Sequence, residues 1–130
     1  ALRVLRGENI FTVNPEEPSA KIAKVKIRHY LAASGKDPYP QWLDGLLDLT
    51  GRVAIQRRMD RLVNGNSGDH KFCQQGVWEL RIDFGPGYRV YYAQDGESLV
   101  VLLCGGSKQK QSSDIKDAVR HWLDYQRRKP

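Results

Sequence analysis

The sequence predicts a small α+β domain in which an antiparallel sheet has helices packed on one face and leaves a basic face open. Three features support this prediction: a hairpin over residues 76–92, two amphipathic helices before it, and an apolar strand followed by a helix after it. At 130 residues the chain is long enough for one domain with a substantial core.

The composition indicates a folded protein with an anionic partner. The chain is 40% hydrophobic and 28% charged, which is ordinary for a globular domain. Its formal net charge of +6 favours nucleic acid or an acidic protein as the partner, and charge alone does not separate the two. No apolar run approaches about 18 residues and no signal-peptide pattern is visible, so we expect a cytoplasmic protein without a membrane segment.

The hairpin carries the most informative pattern. Apolar and polar residues alternate along both of its strands, which predicts one buried and one presented face. The turn is formed by residues 85–87, Gly-Pro-Gly. Arg81 and Arg89 are predicted on the presented side of neighbouring strands, together with Glu79 and Tyr91. The two arginines are then close enough to bind one phosphate together.

A strand and a short helix are predicted at the start of the domain. Residues 24–31 alternate as a strand. Asp37 followed by Pro38 predicts the start of a helix, and its apolar stripe runs to Leu47.

A second helix is predicted to be capped by Thr50 and to end at about Asn64. Arg57, Arg58 and Arg61 lie opposite its apolar stripe. These arginines form either a solvated surface or the flank of a nucleic-acid groove, where they attract phosphates.

After the hairpin, residues 99–104 form an unbroken apolar run, which predicts an inner strand covered on both faces. Residues 105–111 are predicted to leave the sheet. Ser112 or Ser113 is then predicted to cap a final helix that starts at Asp114.

The two cysteines, Cys73 and Cys104, lack the spacing and neighbours of a disulfide or a metal site. We therefore expect two free, buried thiols and neither a metal nor another cofactor. Residues 1–22 are an N-terminal extension of unknown role, which is an ordered arm, a partner-binding arm or an addition without function. The domain is predicted over residues 23–130.

Several blocks of the sequence occur in an order and spacing that resemble a known family. One of them is Phe84-Gly85-Pro86-Gly87-Tyr88-Arg89-Val90-Tyr91, and the others are residues 65–71, 76–82, 102–108 and 114–118. The blocks resemble the RelE/ParE toxin superfamily, and within it the HigB-like branch of phage-derived, Gp49-like proteins, also called addiction-module killer proteins. The resemblance covers residues 24–125.

The resemblance implies a RelE-like toxin of a type II toxin–antitoxin pair. RelE-type members cut mRNA, usually in the ribosomal A site, whereas ParE-type members inhibit DNA gyrase. It also implies that Arg89 acts on the scissile phosphate and that Arg81 assists it. The basic residue after the glycines of the last strand corresponds to Lys108, with Lys110 as the alternative. RelE carries a tyrosine at the position of Ile115.

Cleavage of RNA by its own 2′-OH needs a base, an acid and cations for the charge on phosphorus. Guanidinium groups suit the last task because they bind phosphate oxygens in pairs. His70 is predicted near the arginines, either as acid or base or as an exposed loop residue. Glu79, which replaces a lysine of RelE, is either a base or the ion-pair partner of Arg81 or Arg89. Tyr91 either stacks on a base or packs in the core.

The resulting candidates fall into two groups. The catalytic candidates are Arg89, Arg81, Lys108, Lys71 and His70. The RNA-binding candidates are Tyr91, Glu79, Lys110, Arg57 and Arg61.

Three functions compete. The first is a metal-independent, ribosome-dependent endoribonuclease, which is favoured because a gyrase inhibitor has no need for arginines directed at phosphate. The second is a ParE-like gyrase inhibitor, and the third is a non-catalytic basic module that binds nucleic acid or an antitoxin. The expected partners are mRNA on the ribosome and a cognate antitoxin, a small helix-turn-helix protein.

Overall fold

The structure, a computed structural model, describes residues 24–130. Its elements in chain order are β1 (Lys26–His29), α1 (Pro38–Asp44), α2 (Leu49–Val63), β2 (His70–Gln74), β3 (Val77–Ile82), β4 (Tyr88–Asp95), β5 (Leu99–Ser107) and α3 (Gln111–Arg128), with a 3-10 turn (Lys108–Lys110) before α3. The predicted extension over residues 1–22, and its boundary with the domain, lie outside the described residues.

The five strands form one open sheet in the order β1-β5-β4-β3-β2. Strands β2 to β5 pair antiparallel with their sequence neighbours, and this confirms the predicted hairpin and the α+β class. The prediction of an entirely antiparallel sheet is wrong, because β1 lies parallel to β5, with Lys26 opposite Leu99. Two helices and three strands separate β1 from β5 in sequence, and this long crossover returns the chain in the same direction.

Helices cover both faces of the sheet, so the prediction that they pack on one face is wrong. Leu80, Val90 and Leu102 face α1 and α2, while residues of the opposite face pack against α3. The central strands are apolar on both sides, and the stripe of α3, which includes Ala118 and Trp122, covers the second side. This second face remains open beside the Gly-Pro-Gly turn and along the edge strand β2, where Lys71 is exposed.

The first two helices differ from the prediction at one end each. The first helix starts at Pro38, as predicted, but it ends at Asp44, so Leu47 lies outside it and is 96% exposed. The predicted cap Thr50 is wrong. Asp48 caps α2 instead, because its Oδ1 accepts a hydrogen bond from the backbone N–H of Gly51 at 2.9 Å.

Strand β5 is longer than predicted and continues through Ser107. Gly105 and Gly106 keep it in the sheet by leaving room for neighbours on either face. A Cβ atom on Gly105 would lie 2.2 Å from the ring of Trp42, and one on Gly106 would lie 1.9 Å from Asp114 Oδ2.

The last helix begins at Gln111, directly after the 3-10 turn, and the predicted serine cap is wrong. Ser113 Oγ instead donates a hydrogen bond back to the carbonyl of Lys110 at 3.2 Å. Cys73 and Cys104 are free thiols, as predicted, with Cys104 buried and Cys73 half-buried. None of the helices within residues 24–130 is long and apolar enough to cross a membrane.

Candidate functional site

A basic cleft lies at the end of the sheet beside the Gly-Pro-Gly turn. It encloses about 310 Å³ and is lined by Asp69, Arg81, Asp83, Gly85, Pro86, Gly87, Arg89 and Lys108. Three cationic side chains and two carboxylates therefore face one space, and the balance of charge favours an anionic ligand.

Arg81 and Arg89 lie directly opposite each other on β3 and β4, which confirms that they share one side of neighbouring strands. Arg81 donates from Nε and Nη2 to Oδ1 of Asp69, at 3.1 and 2.8 Å. This hydrogen bond lowers the pKa of Asp69. The Arg81 side chain is still 37% exposed, so the ion pair fixes the guanidinium without closing it off from solvent.

Arg89 is more enclosed, with its side chain 10% exposed. Its Nη1 donates to the backbone carbonyl of Tyr88 at 3.1 Å. Its Nε lies 3.8 Å from Glu79 Oε2, which is an ion pair but too long for a hydrogen bond. Arg89 Nε and Glu79 Oε2 both lack a hydrogen-bond partner among the described residues. The unpaired Nε is therefore buried beside Glu79, while the Arg89 side chain also lines the cleft.

Glu79 is 1% exposed, and its Oε1 accepts a hydrogen bond from Gln111 Nε2 at 2.8 Å. The prediction that Glu79 contacts RNA is wrong, because α3 covers it. The alternative interpretation, an ion pair with one of the arginines, agrees with its position beside Arg89.

Lys108, the third cation, is joined to the turn at Gly87. The backbone N–H of Lys108 donates to the carbonyl of Gly87 at 2.9 Å. Gly87 has a φ of +84°, and a Cβ there would lie 3.4 Å from Lys108 Cβ and 3.7 Å from Arg89 Nη1. A Cβ at these distances would make ordinary contacts, so the positive φ rather than a lack of space favours glycine at this position.

Two predicted site residues lie elsewhere. Tyr91 is fully buried against α3, where burial raises its pKa, so the prediction that it stacks on a base is wrong. His70 pairs with Leu80 and so faces α1 and α2 rather than the arginines. The predicted position of His70 near the arginines is therefore wrong. Its ring lies 5.2 Å from that of Trp78, and Nδ1 lies 2.9 Å from the carbonyl of Gly68.

The remaining candidates lie outside the cleft. Lys71 lies opposite Glu79 on the arginine side of the edge strand and is exposed. Lys110 is exposed in the 3-10 turn. Arg57 and Arg61 are exposed on α2, which covers the opposite face of the sheet. Of the ten candidates, the cleft brings together Arg81, Arg89 and Lys108.

Two residues that line the cleft, and one that holds its backbone in place, were not predicted as site residues. Asp69 and Asp83 line the cleft, and Asp83 lies two residues after Arg81, just beyond the end of β3, a spacing that was visible in the sequence. Arg58 was predicted on a solvated surface or on the flank of a nucleic-acid groove, and both alternatives are wrong, because it is 7% exposed and its guanidinium donates to three backbone carbonyls. Its place at i+3 from Ile55 put it within the apolar stripe of α2.

Comparison with known proteins identifies relatives of the segment that contains the cleft. The family model "Phage derived protein Gp49-like (DUF891)" matches residues 41–120, which is more than half of the chain. An uncharacterized protein of Haemophilus influenzae is 48% identical over 80 residues, which cover 62% of this chain and 81% of that protein. The family model thus extends from within α1 through α2 and the four-stranded meander into α3. The chain thus belongs to the phage-derived, Gp49-like family, which is associated with the toxins of toxin–antitoxin systems.

Proposed function

We propose that the protein is the toxin of a type II toxin–antitoxin pair and acts as a RelE-type endoribonuclease that cleaves mRNA on the ribosome without a metal ion. The observation that carries the proposal is the convergence of Arg81, Arg89 and Lys108 on one open cleft. A cytoplasmic location and a cognate helix-turn-helix antitoxin follow from the same proposal.

The arginines bind the scissile phosphodiester. Arg81 is fixed by Asp69 yet exposed, and Arg89 lines the same cleft beside the buried carboxylate of Glu79. Guanidinium groups held in place before the reaction stabilise the charge that develops on phosphorus without having to reorganise. In this geometry the 2′ oxygen attacks phosphorus, a new O2′–P bond forms and the P–O5′ bond breaks, which leaves a 2′,3′-cyclic phosphate and a 5′-hydroxyl.

Asp83 is the proton acceptor in this mechanism. Of the nearby carboxylates, Asp69 is engaged by Arg81 and Glu79 is buried under α3. Asp83 faces the cleft and forms no ion pair with any residue from 24 to 130. It takes the proton of the 2′-OH, and the ammonium group of Lys108 gives a proton to the leaving 5′ oxygen.

The proposal is tested by inducing the protein in cells, mapping new mRNA 5′ ends and measuring plasmid supercoiling. We expect new mRNA ends with normal supercoiling, and the loss of both toxicity and new ends in Arg89→Ala. Arg127→Ala is the matched control, because Arg127 is 74% exposed near the other end of α3. Altered supercoiling without mRNA cleavage would instead establish ParE-like action, and an Arg89→Ala variant with full toxicity would overturn the assignment of the cleft.

A further inference from the structure

Three aromatic rings form a cluster at the edge of the sheet, outside the cleft. His70 and Phe72 belong to β2 and Trp78 belongs to the adjacent β3. The ring of Phe72 lies 5.3 Å from that of Trp78, edge to face, and the ring of His70 lies 5.2 Å from it. We refer to these three residues as the aromatic edge.

The aromatic edge faces solvent. Phe72 is 50% exposed and His70 is also exposed, whereas Trp78 is half-buried and packs against the core. Phe72 lies opposite Trp78 in the register of β2 and β3, so the two rings share a face. Because β2 is an edge strand of the described sheet, no further strand lies beside these rings there. A flat apolar ligand would remove this surface from water.

We propose that the aromatic edge binds an unstacked base of the single-stranded RNA whose phosphate lies in the cleft. The inference rests on the proposed function, because it takes RNA as the ligand. Aromatic side chains stack on any base and are a common means by which proteins hold single strands.

The cleft and the aromatic edge are adjacent along the chain. His70 directly follows Asp69, which binds Arg81 in the cleft at 2.8 Å. The two sites lie on opposite faces of β2, so an RNA strand that leaves the cleft past Arg81 reaches the aromatic edge by crossing the outer side of this strand.

Charge favours RNA over an apolar peptide as the ligand. Lys71, between His70 and Phe72 in sequence, is exposed on the arginine side of β2, where a crossing phosphate would pass. The basic end of α2 lies beside the loop that leads into β2, because the carbonyl of Arg61 accepts a hydrogen bond from the N–H of Asn66 at 2.9 Å. The whole chain has a net charge of +6.

The test uses a labelled RNA oligonucleotide with 2′-O-methyl groups, which the protein cannot cleave, and a second oligonucleotide with abasic positions. We expect Phe72→Ser to weaken binding of the first by about tenfold and Phe72→Trp to retain it. The abasic oligonucleotide should bind wild type and Phe72→Ser equally. Leu123→Ser, which removes an apolar side chain that is 49% exposed on α3, is the matched control.

The outcomes separate this inference from the proposed function. Equal affinity of wild type and Phe72→Ser for the base-containing RNA would overturn the aromatic edge as a base site. So would a loss of antitoxin binding in Phe72→Ser with RNA binding intact, because the surface would then be a protein-docking site. If Phe72→Ser weakens RNA binding as expected but the wild-type protein leaves ribosome-bound mRNA uncut, the aromatic edge would be supported and the nuclease overturned.

Discussion

The buried guanidinium of Arg58 donates a hydrogen bond to the backbone carbonyl of Arg81. Its Nη2 also donates to the carbonyls of Ser67, at 2.8 Å, and Asp69, at 3.0 Å. One side chain of α2 thus fixes the backbone on both sides of the Arg81–Asp69 ion pair. Arg58 lies under the sheet and does not line the cleft, so it acts through the residues that it holds.

Replacement of Arg58 by leucine is expected to lower the free energy of unfolding by about 2 kcal/mol or more, because buried carbonyls lose a charged donor. Chemical denaturation measures the change. Arg57→Leu is the control, since Arg57 occupies the preceding position of the helix and is exposed. Its replacement should change the free energy of unfolding by less than about 0.5 kcal/mol. If the two variants lose similar free energies of unfolding, the hydrogen bonds from Arg58 to the carbonyls do not stabilise the fold.

Arg89→Lys is expected to keep the fold and to cleave RNA about 100-fold more slowly, because an ammonium group keeps the charge but loses the paired donors that a phosphate accepts. The rate is measured on mRNA bound to the ribosome under single-turnover conditions. Arg127→Lys makes the same chemical change away from the cleft and should cleave at the wild-type rate. Unchanged cleavage by Arg89→Lys would mean that charge alone is needed at this position.

Asp83→Asn is expected to reduce the cleavage rate by about 100-fold or more while RNA affinity stays within a few-fold, because the amide cannot accept the 2′-OH proton. Binding is measured with the 2′-O-methyl oligonucleotide and cleavage with unmodified mRNA bound to the ribosome. An Asp83→Asn variant that cleaves normally would remove Asp83 from the mechanism and leave the arginine assignment standing.

Tyr88→Phe is expected to alter the pH dependence of stability. The Tyr88 hydroxyl donates to Asp48 Oδ2 at 2.7 Å and lowers the pKa of Asp48 below its usual 3.8. A lowered pKa in the folded state stabilises the protein above the unfolded-state pKa, and this contribution is lost as the pH falls through the folded-state pKa. Thermal melts should therefore show a destabilised variant near neutral pH and a shrinking difference below pH 3.8. A difference in melting temperature between wild type and Tyr88→Phe that stays constant with pH would show that the effect does not come from the lowered pKa of Asp48.

The arrangement of the two arginines was predictable, because alternation along the hairpin fixes which residues of β3 and β4 share a side. The register of β2 against β3 was not, and this register turns His70 away from the arginines. Alternation also does not reveal what covers a face. Tyr91 and Glu79 lie on the predicted side, yet α3 buries both of them.

The spacing of residues within α2 indicated the burial of Arg58 better than the charge of its side chain did. Ile55, Arg58, Met59 and Leu62 occupy one stripe of the helix, and all four are buried. Arg58 was assigned to solvent because of its charge, whereas its position in the stripe indicated the core. A single arginine in an apolar stripe is thus better interpreted as a buried donor that bonds nearby carbonyls.

The residues that line the cleft all lie between Asp69 and Lys108, within a meander whose strands pair with their neighbours in sequence. Strand β1, in contrast, reaches β5 across most of the chain, with Lys26 opposite Leu99. Closing a short loop costs less entropy than closing a long one, so local pairings tend to form early during folding. The cleft is therefore expected to assemble before β1 docks, and slow steps in refolding should involve the parallel edge rather than the arginines.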